Sequence, residues 1–286
     1  MEPLIINFTP TGMLMMKEDT PYVPIKVKEI VEEVREAYNL GITSVHLHAR
    51  DEMTGKPCYE KEVFEEIILG IREYAPDLVI AVTTSGRLYN TYEKRSDVLN
   101  LEGKAKPDMG SLTLSSLNFN KTASVNAPDM IVSLLKRMNE AGIKPELEVF
   151  DCGMVNYAKY LIRKEFLKPP YYFNIILGNI ACAQATLLHS GVIINDLPEN
   201  SVCSIGAIGN YQLNINALAI AMGFGVRVGI EDNIWYDDER TRLATNMDLL
   251  KRIHLLANSL NRGICTPGEL RKKLDLKDGF GEYGIK

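Results

Sequence analysis

The sequence lacks any C-x-x-C pair, and its five cysteines (Cys58, Cys152, Cys182, Cys203 and Cys265) are odd in number and far apart. That spacing excludes a zinc knuckle built on paired thiolates and speaks against a disulfide framework, so a reducing compartment is expected. Long hydrophobic runs are missing too, and Met1 leads directly into a strand-like segment without a basic leader. The expectation is therefore a cytoplasmic chain that meets no membrane. No sign of charge dominates: 32 basic residues against 37 acidic ones leave a net charge of -5. This removes nucleic acid as an expected partner while leaving room for a local pocket that takes a small anion. Histidine is scarce, with four in the chain, so the places where two fall together are informative.

What the chain does have is a 46% hydrophobic content, enough for a large core. Short β-rich runs alternate with helical patterns from end to end. Strands are read at 4–9, 44–49, 78–84, 109–114, 146–150, 171–176, 202–207 and 226–230, and helices at 26–40, 60–74, 92–100, 128–141, 212–222 and 246–260. Gly41 and Gly142 close helices, while Asn126 and Asn246 are read as N-terminal caps. Strict alternation implies parallel strands joined by crossovers. A doubly wound sheet is the rival, but it usually has fewer repeats and often a glycine-rich turn after its first strand, which Thr9-Pro10-Thr11-Gly12 does not supply. The expected fold is α/β, a TIM (β/α)8 barrel: a single domain over 1–286 with a short C-terminal extension from about 263 to 286.

Barrel enzymes place their chemistry at the C-terminal ends of the strands, and polar residues collect there in this chain. The second strand ends Val45-His46-Leu47-His48-Ala49-Arg50-Asp51, and strand periodicity turns His46 and His48 to one face. Two imidazoles so placed suit one zinc ion; the plain alternative is a pair of independently hydrogen-bonded core histidines. His189 and His254 read as ordinary residues of the outer helical layer. The eighth strand ends Val226-Arg227-Val228-Gly229-Ile230-Glu231-Asp232-Asn233. It closes next to the first strand, so a carboxylate here can complete a metal shell with the histidines, and a neighbouring carboxylate can act as a base steadied by Arg227. By itself the acidic triplet would read as a helix cap.

Three further strand ends carry polar groups: Thr83-Thr84-Ser85-Gly86-Arg87, Ser115-Ser116-Leu117-Asn118-Phe119, and Glu146-Leu147-Glu148-Val149-Phe150-Asp151. Each could be a cap or a turn, but an inward Glu148 needs a partner. The loop holding Gly206 and Gly209 is small and glycine-rich; it would suit a phosphate, and tight packing explains it equally well.

Taken together, Thr11-Gly12, the His46–Asp51 segment, Pro145–Asp151, Val226–Asn233 and the tail Cys265-Thr266-Pro267-Gly268-Glu269-Leu270-Arg271 resemble the β-keto acid cleavage enzymes over nearly the whole chain. The resemblance implies a zinc-dependent acyltransferase in a TIM barrel, working by a Claisen-type exchange with acetyl-CoA as co-substrate. A β-keto acid and acetyl-CoA would become acetoacetate and a new acyl-CoA. It implies His46, His48 and Glu231 as zinc ligands, Asp232 as acid/base, Arg227 as the residue orienting it and Glu148 as an active-site glutamate. Thr83, Ser85 and Gly86 would meet the substrate carboxylate, Ser85 standing where the family commonly has glycine, with Ser116 and Asn118 as pocket groups. Gly206 and Gly209 would take a CoA phosphate, and a homo-oligomer, a tetramer by likeness, is expected.

One departure concerns the substrate. Where members acting on aminated substrates carry an acidic residue just after Thr-Gly, this chain reads Met13-Leu14-Met15-Met16. The expectation is an uncharged, apolar substrate tail lined by Leu14 and flexible methionines, or simply packing at the barrel mouth. Rival readings are an amidohydrolase-type zinc hydrolase, a metal aldolase or lyase using an enolate without CoA, and a barrel that only binds small molecules. Another divalent ion could replace zinc in a His2Glu site.

Overall fold

β-Branched and aliphatic runs form eight strands in the computed structural model, which describes all residues from Met1 to Lys286. They are β1 (Ile6–Phe8), β2 (Ser44–Leu47), β3 (Val79–Val82), β4 (Met109–Thr113), β5 (Lys144–Val149), β6 (Tyr171–Leu177), β7 (Ser201–Ala207) and β8 (Gly225–Val228). All pair in parallel in chain order, and β1 closes on both β2 and β8, making the expected TIM barrel. The registers Asn7↔Ser44 and Asn7↔Arg227 fix that closure.

The helices are α1 (Val27–Leu40), α2 (Lys61–Arg72), α3 (Tyr92–Ser96), α4 (Pro128–Ala141), α5 (Cys152–Arg163), α6 (Leu187–Asn195), α7 (Tyr211–Ala221), α8 (Asn246–Ser259) and α9 (Pro267–Lys273). Three of them, α5, α6 and α9, lie beyond the helices expected from periodicity. Helix α6 reads Leu-Leu-His-Ser-Gly-Val-Ile-Ile-Asn and is apolar around much of its circumference, so it carries no clear 3.6-residue stripe. The 92–100 segment is helical only to Ser96 and tightens into a 3₁₀ turn over Asp97–Asn100.

Both asparagine caps are corrected by the structure. Ala127 occupies the N-cap of α4, and the buried Asn126 instead accepts from Arg95 Nη2 (2.8 Å) and donates to Ser115 O (3.1 Å). Thr245 caps α8 in a reciprocal box with Asp248. Asn246, one residue in, accepts from Ile230 N (2.9 Å) and donates to Pro10 O (3.1 Å). In each case a buried amide serves strand-end groups that would otherwise be unpaired.

Side chains pointing outward from the strands, such as Val45, Leu47, Ile80, Val82 and Leu112, pack with the helices in one large apolar cluster. A second cluster of Ile5, Val79, Ala81, Met109 and Tyr172 closes against Cys265, Leu270, Leu274 and Leu276, so the C-terminal segment packs over the N-terminal ends of the strands. It is tied there by Arg271, which meets the buried Asp108 at 2.9 Å while Arg72 reaches the same carboxylate at 2.8 Å. The opposite end, where the βα loops begin, is left to the polar residues.

Candidate metal centre and active site

The β-strand alternation turns His46 to the barrel axis, and His48 follows one residue after β2 ends. Their Nε2 atoms lie 3.2 Å apart, and both rings are buried. Glu231 arrives from the other side of β1, three residues beyond β8, with its N–H on Thr9 O (3.2 Å). Gly12 and Gly229 permit this approach: a Cβ on Gly12 (φ 62) would sit 2.5 Å from Glu231 Cγ, and one on Gly229 would overlap Thr9 O. Glu231 Oε1 is then 3.3 Å from His48 Nε2. One ligand atom from each of His46, His48 and Glu231 falls within a 4.8 Å cluster.

The donor set fits a borderline divalent cation. Two ring nitrogens facing each other at 3.2 Å cannot both carry protons comfortably, and Glu231 Oε2 is buried without any hydrogen-bond partner. A metal ion would meet both demands. The rest of the set is prepared from behind. His46 Nδ1 lies 2.6 Å from Glu146 Oε2, while Glu146 Oε1 accepts from Asn7 (2.9 Å) and Asn174 (3.0 Å). Burial works to lower the His46 pKa, but the Glu146 carboxylate overcomes it and the ring is raised to about 9. His48 is lowered, burial outweighing its attraction to Glu231.

Beside this cluster, the buried Arg227 guanidinium holds both acids of the eighth strand end. Nε donates to Asp232 Oδ2 (2.7 Å), while Nη2 donates to Asp232 Oδ1 (3.1 Å) and to Glu231 Oε1 (2.7 Å). The two carboxylates respond in opposite directions. Burial would raise Glu231, yet Arg227 and the imidazoles hold it well below the usual carboxylate range. Asp232 is raised, because burial and the Glu231 charge together exceed the pull of Arg227. A carboxylate moved toward neutral pH and fixed by a fork is suited to proton transfer. Glu148, the other expected acid, accepts from Thr113 Oγ1 (2.6 Å) and is also raised, chiefly by burial.

A cleft leads outward from His48, lined by Met13, Thr83, Thr84, Ser85, Tyr59, Tyr89, Lys94 and Arg95 among others. Thr83 and Ser85 therefore line the same cleft as His48. Gly86 supports that loop rather than opening a pocket: its backbone rests on Arg95, whose Nη1 would be 2.5 Å from any Cβ there. Met13 lines the cleft, while Leu14 stands half exposed outside this lining. Ser116 and Asn118 are exposed and also lie outside the lining; Ser116 Oγ accepts from Asn126 N (2.8 Å). Gly206 lies within β7, where a Cβ would be 2.9 Å from Arg227 Cβ. The Gly209 N–H is engaged by Asp232 O at 2.8 Å. Close packing thus accounts for Gly206, and a backbone tie between two loops for Gly209.

Three buried residues were not singled out for this site by sequence. Glu146 was visible only as an inward acid near Glu148, because its partner lies across the barrel. Arg95 reaches Thr84 O (2.8 Å) and Asn126 (2.8 Å), joining the loops after β3 and β4. Arg50 holds the first βα loop through Met13 O (2.9 Å) and Met15 O, and also binds Gly55 O (2.9 Å). Neither arginine forms an ion pair within 4 Å, so nothing in local charge patterning marks them.

Residues 3–276 match the family model for the beta-keto acid cleavage enzymes. The sequence is 38% identical over 279 residues to 3-keto-5-aminohexanoate cleavage enzyme of Fusobacterium nucleatum subsp. nucleatum, covering 97% of this chain and 99% of that protein. It is 31% identical over 278 residues to 3-oxoadipate:acetyl-CoA acetyltransferase of Cupriavidus necator, covering 96% and 95% respectively. Among solved structures, apo ObcA superposes with a TM-score of 0.75 at 21% identity over 89% of this chain, which spans 65% of that chain's length. That likeness is one of fold.

Proposed function

The chain belongs to the β-keto acid cleavage enzyme family, and we propose that it exchanges a β-keto acid with acetyl-CoA at a zinc centre held by His46, His48 and Glu231. The observation that carries this reading is the convergence of those three ligands beside an Arg227-held Asp232. The products are acetoacetate and a new acyl-CoA.

When bound, the zinc ion would supply Lewis acidity, making the α-proton of the keto acid easier to remove. Asp232 takes that proton, its carboxylate held in place by the two Arg227 donors. The resulting carbanion attacks the acetyl thioester carbonyl, forming a carbon–carbon bond and releasing the CoA thiolate. The thiolate then adds to the substrate's original keto carbonyl, the original carbon–carbon bond breaks to leave the new acyl-CoA, and Asp232 returns its proton to the departing α-carbon to give acetoacetate. Thr83 and Ser85 are assigned to the substrate carboxylate, with Gly86 shaping the loop that carries them and Glu148 facing the same interior. Ser116 and Asn118 are kept as contacts for a part of the ligand that extends beyond the cleft.

The substrate tail is assigned as neutral and apolar, because Met13 lines the cleft and no acid stands in Met13-Leu14-Met15-Met16 to meet an ammonium group. A panel of β-keto acids assayed with and without acetyl-CoA tests both parts. Loss of keto acid must depend on acetyl-CoA, and faster turnover of aminated than neutral substrates would overturn the tail assignment.

We also assign a homo-oligomer, a tetramer by likeness. Between Lys168 and Arg227 the only Asp, Glu, Lys or Arg residues are Asp196 and Glu199. Ile180, Leu187, Leu188, Val192, Tyr211 and Met222 from this stretch are exposed around α6 and α7. So much apolar surface is characteristic of a subunit interface. No helix is long and apolar enough to cross a membrane, and all five cysteines are free, which supports a reducing cytoplasmic setting.

A further inference from the structure

The polar interior of the barrel contains a carboxylate that the proposed reaction leaves without a task. Glu146 on β5 is fully buried, and its partner His46 stands on β2, one hundred residues away in sequence and across the barrel. Its two oxygens are used unequally. Oε1 accepts from the amides of Asn7 (2.9 Å) and Asn174 (3.0 Å), which arrive from β1 and β6. Oε2 faces His46 Nδ1 at 2.6 Å. Asn7 is itself oriented, accepting from Ser44 Oγ at 3.3 Å.

An unpaired carboxylate in such a place would be expensive, so the acid is retained with its full set of donors. The arrangement has a directional consequence. A carboxylate only accepts, so His46 Nδ1 must carry the proton, and the lone pair of the neutral ring is left on Nε2. Nε2 is the nitrogen that faces His48 Nε2. We infer that Glu146, braced by Asn7 and Asn174, is the positioning residue that fixes the tautomer and orientation of His46, so that its Nε2 is presented to the metal. The inference rests on the metal centre proposed above. Glu148, two residues along the same strand face, bonds Thr113 instead and does not share this role.

Three variants separate contact from charge. Glu146→Gln keeps the shape and removes the charge, Glu146→Asp keeps the charge and withdraws it from the ring, and Glu148→Gln alters the neighbouring acid, which lies within the same 4.8 Å cluster as His46 and Glu146 but bonds Thr113 instead of the ring. Zinc dissociation constants are measured by chelator competition. The hydrogen-bonded Nδ1–H proton of His46 is followed by NMR in metal-free protein, with thermal melts to verify folding. Both Glu146 variants are expected to weaken zinc binding about 10- to 100-fold and to shift or abolish the Nδ1–H signal. Glu148→Gln is expected to change neither. Binding within twofold of wild type in folded Glu146→Asp or Glu146→Gln, or equal weakening by Glu148→Gln, overturns the inference. Wild-type protein that binds no zinc overturns the metal reading as well, so the two failures are distinguishable.

Discussion

Arg227 grips Asp232 with two different nitrogens, Nε at 2.7 Å from Oδ2 and Nη2 at 3.1 Å from Oδ1, and spends the second of these on Glu231 as well. One guanidinium therefore couples the proposed base to the proposed ligand. Mutation of each acid, rather than of the shared arginine, separates their roles. Asp232→Asn leaves the ligand set intact and is expected to lower kcat by about 10²- to 10⁴-fold, the range of a lost general base, with zinc content unchanged. Steady-state kinetics alongside metal analysis check this; full activity would remove Asp232 as the base. Arg227→Lys, which loses the planar fork, is expected to impair both kcat and zinc binding.

Metal removal gives a second expectation. Glu231 Oε2 is a buried acceptor without a partner, so binding should stabilise the fold as well as activate it. At about 100 times the dissociation constant, zinc is expected to add about 2.7 kcal/mol of stability. Melting curves with and without zinc should differ for wild type and coincide for His48→Ala. An equal zinc response in both proteins would move the site elsewhere.

A pH dependence arises on the outer face of the barrel. Burial raises the Glu33 carboxyl on α1 from an ordinary value of 4.5 to about 7, with Asn246 opposing through a hydrogen bond. The folded chain thus holds a proton that the unfolded chain gives up. Its contribution is complete below pH 4.5 and is lost as pH rises through 7. Glu33→Gln should flatten this window, with the stability gap between variant and wild type widening by about 1–2 kcal/mol once partial exposure is discounted. Chemical denaturation at several pH values measures it, and parallel curves would contradict the assignment.

The uncharged face of α6 and α7 predicts an assembly. Leu187 and Leu188 are 75% and 71% exposed, at the start of a helix that contains no acidic residue, lysine or arginine. Leu187→Glu combined with Leu188→Glu should lower the molecular mass in solution, by light scattering after size exclusion, without unfolding the barrel. An unchanged mass would exclude this face as the interface.

Much of the site was legible because its signals are local. Alternation along β2 is enough to put His46 and His48 on one face, and the run Glu231-Asp232-Asn233 stands out after a strand of Val-Arg-Val. The roles of asparagines were not legible in the same way. Asn126 and Asn246 precede helical patterns and look like caps, yet each is buried and bonded to a residue removed in sequence, Arg95 on α3 and Ile230 after β8. Gly206 likewise looked like part of a phosphate loop, whereas its bare Cα admits Arg227.

The sequence by itself determined the eightfold alternation, the strand end that carries the histidines and the neighbouring acid pair, because hydrophobic period and turn chemistry act over a few residues. Only the tertiary structure decided how closely Glu231 approaches His48, that Glu146 meets His46 and that Arg95 joins two loops. Those contacts follow from closure of β1 between β2 and β8 and from the width of the barrel interior, which no local pattern encodes.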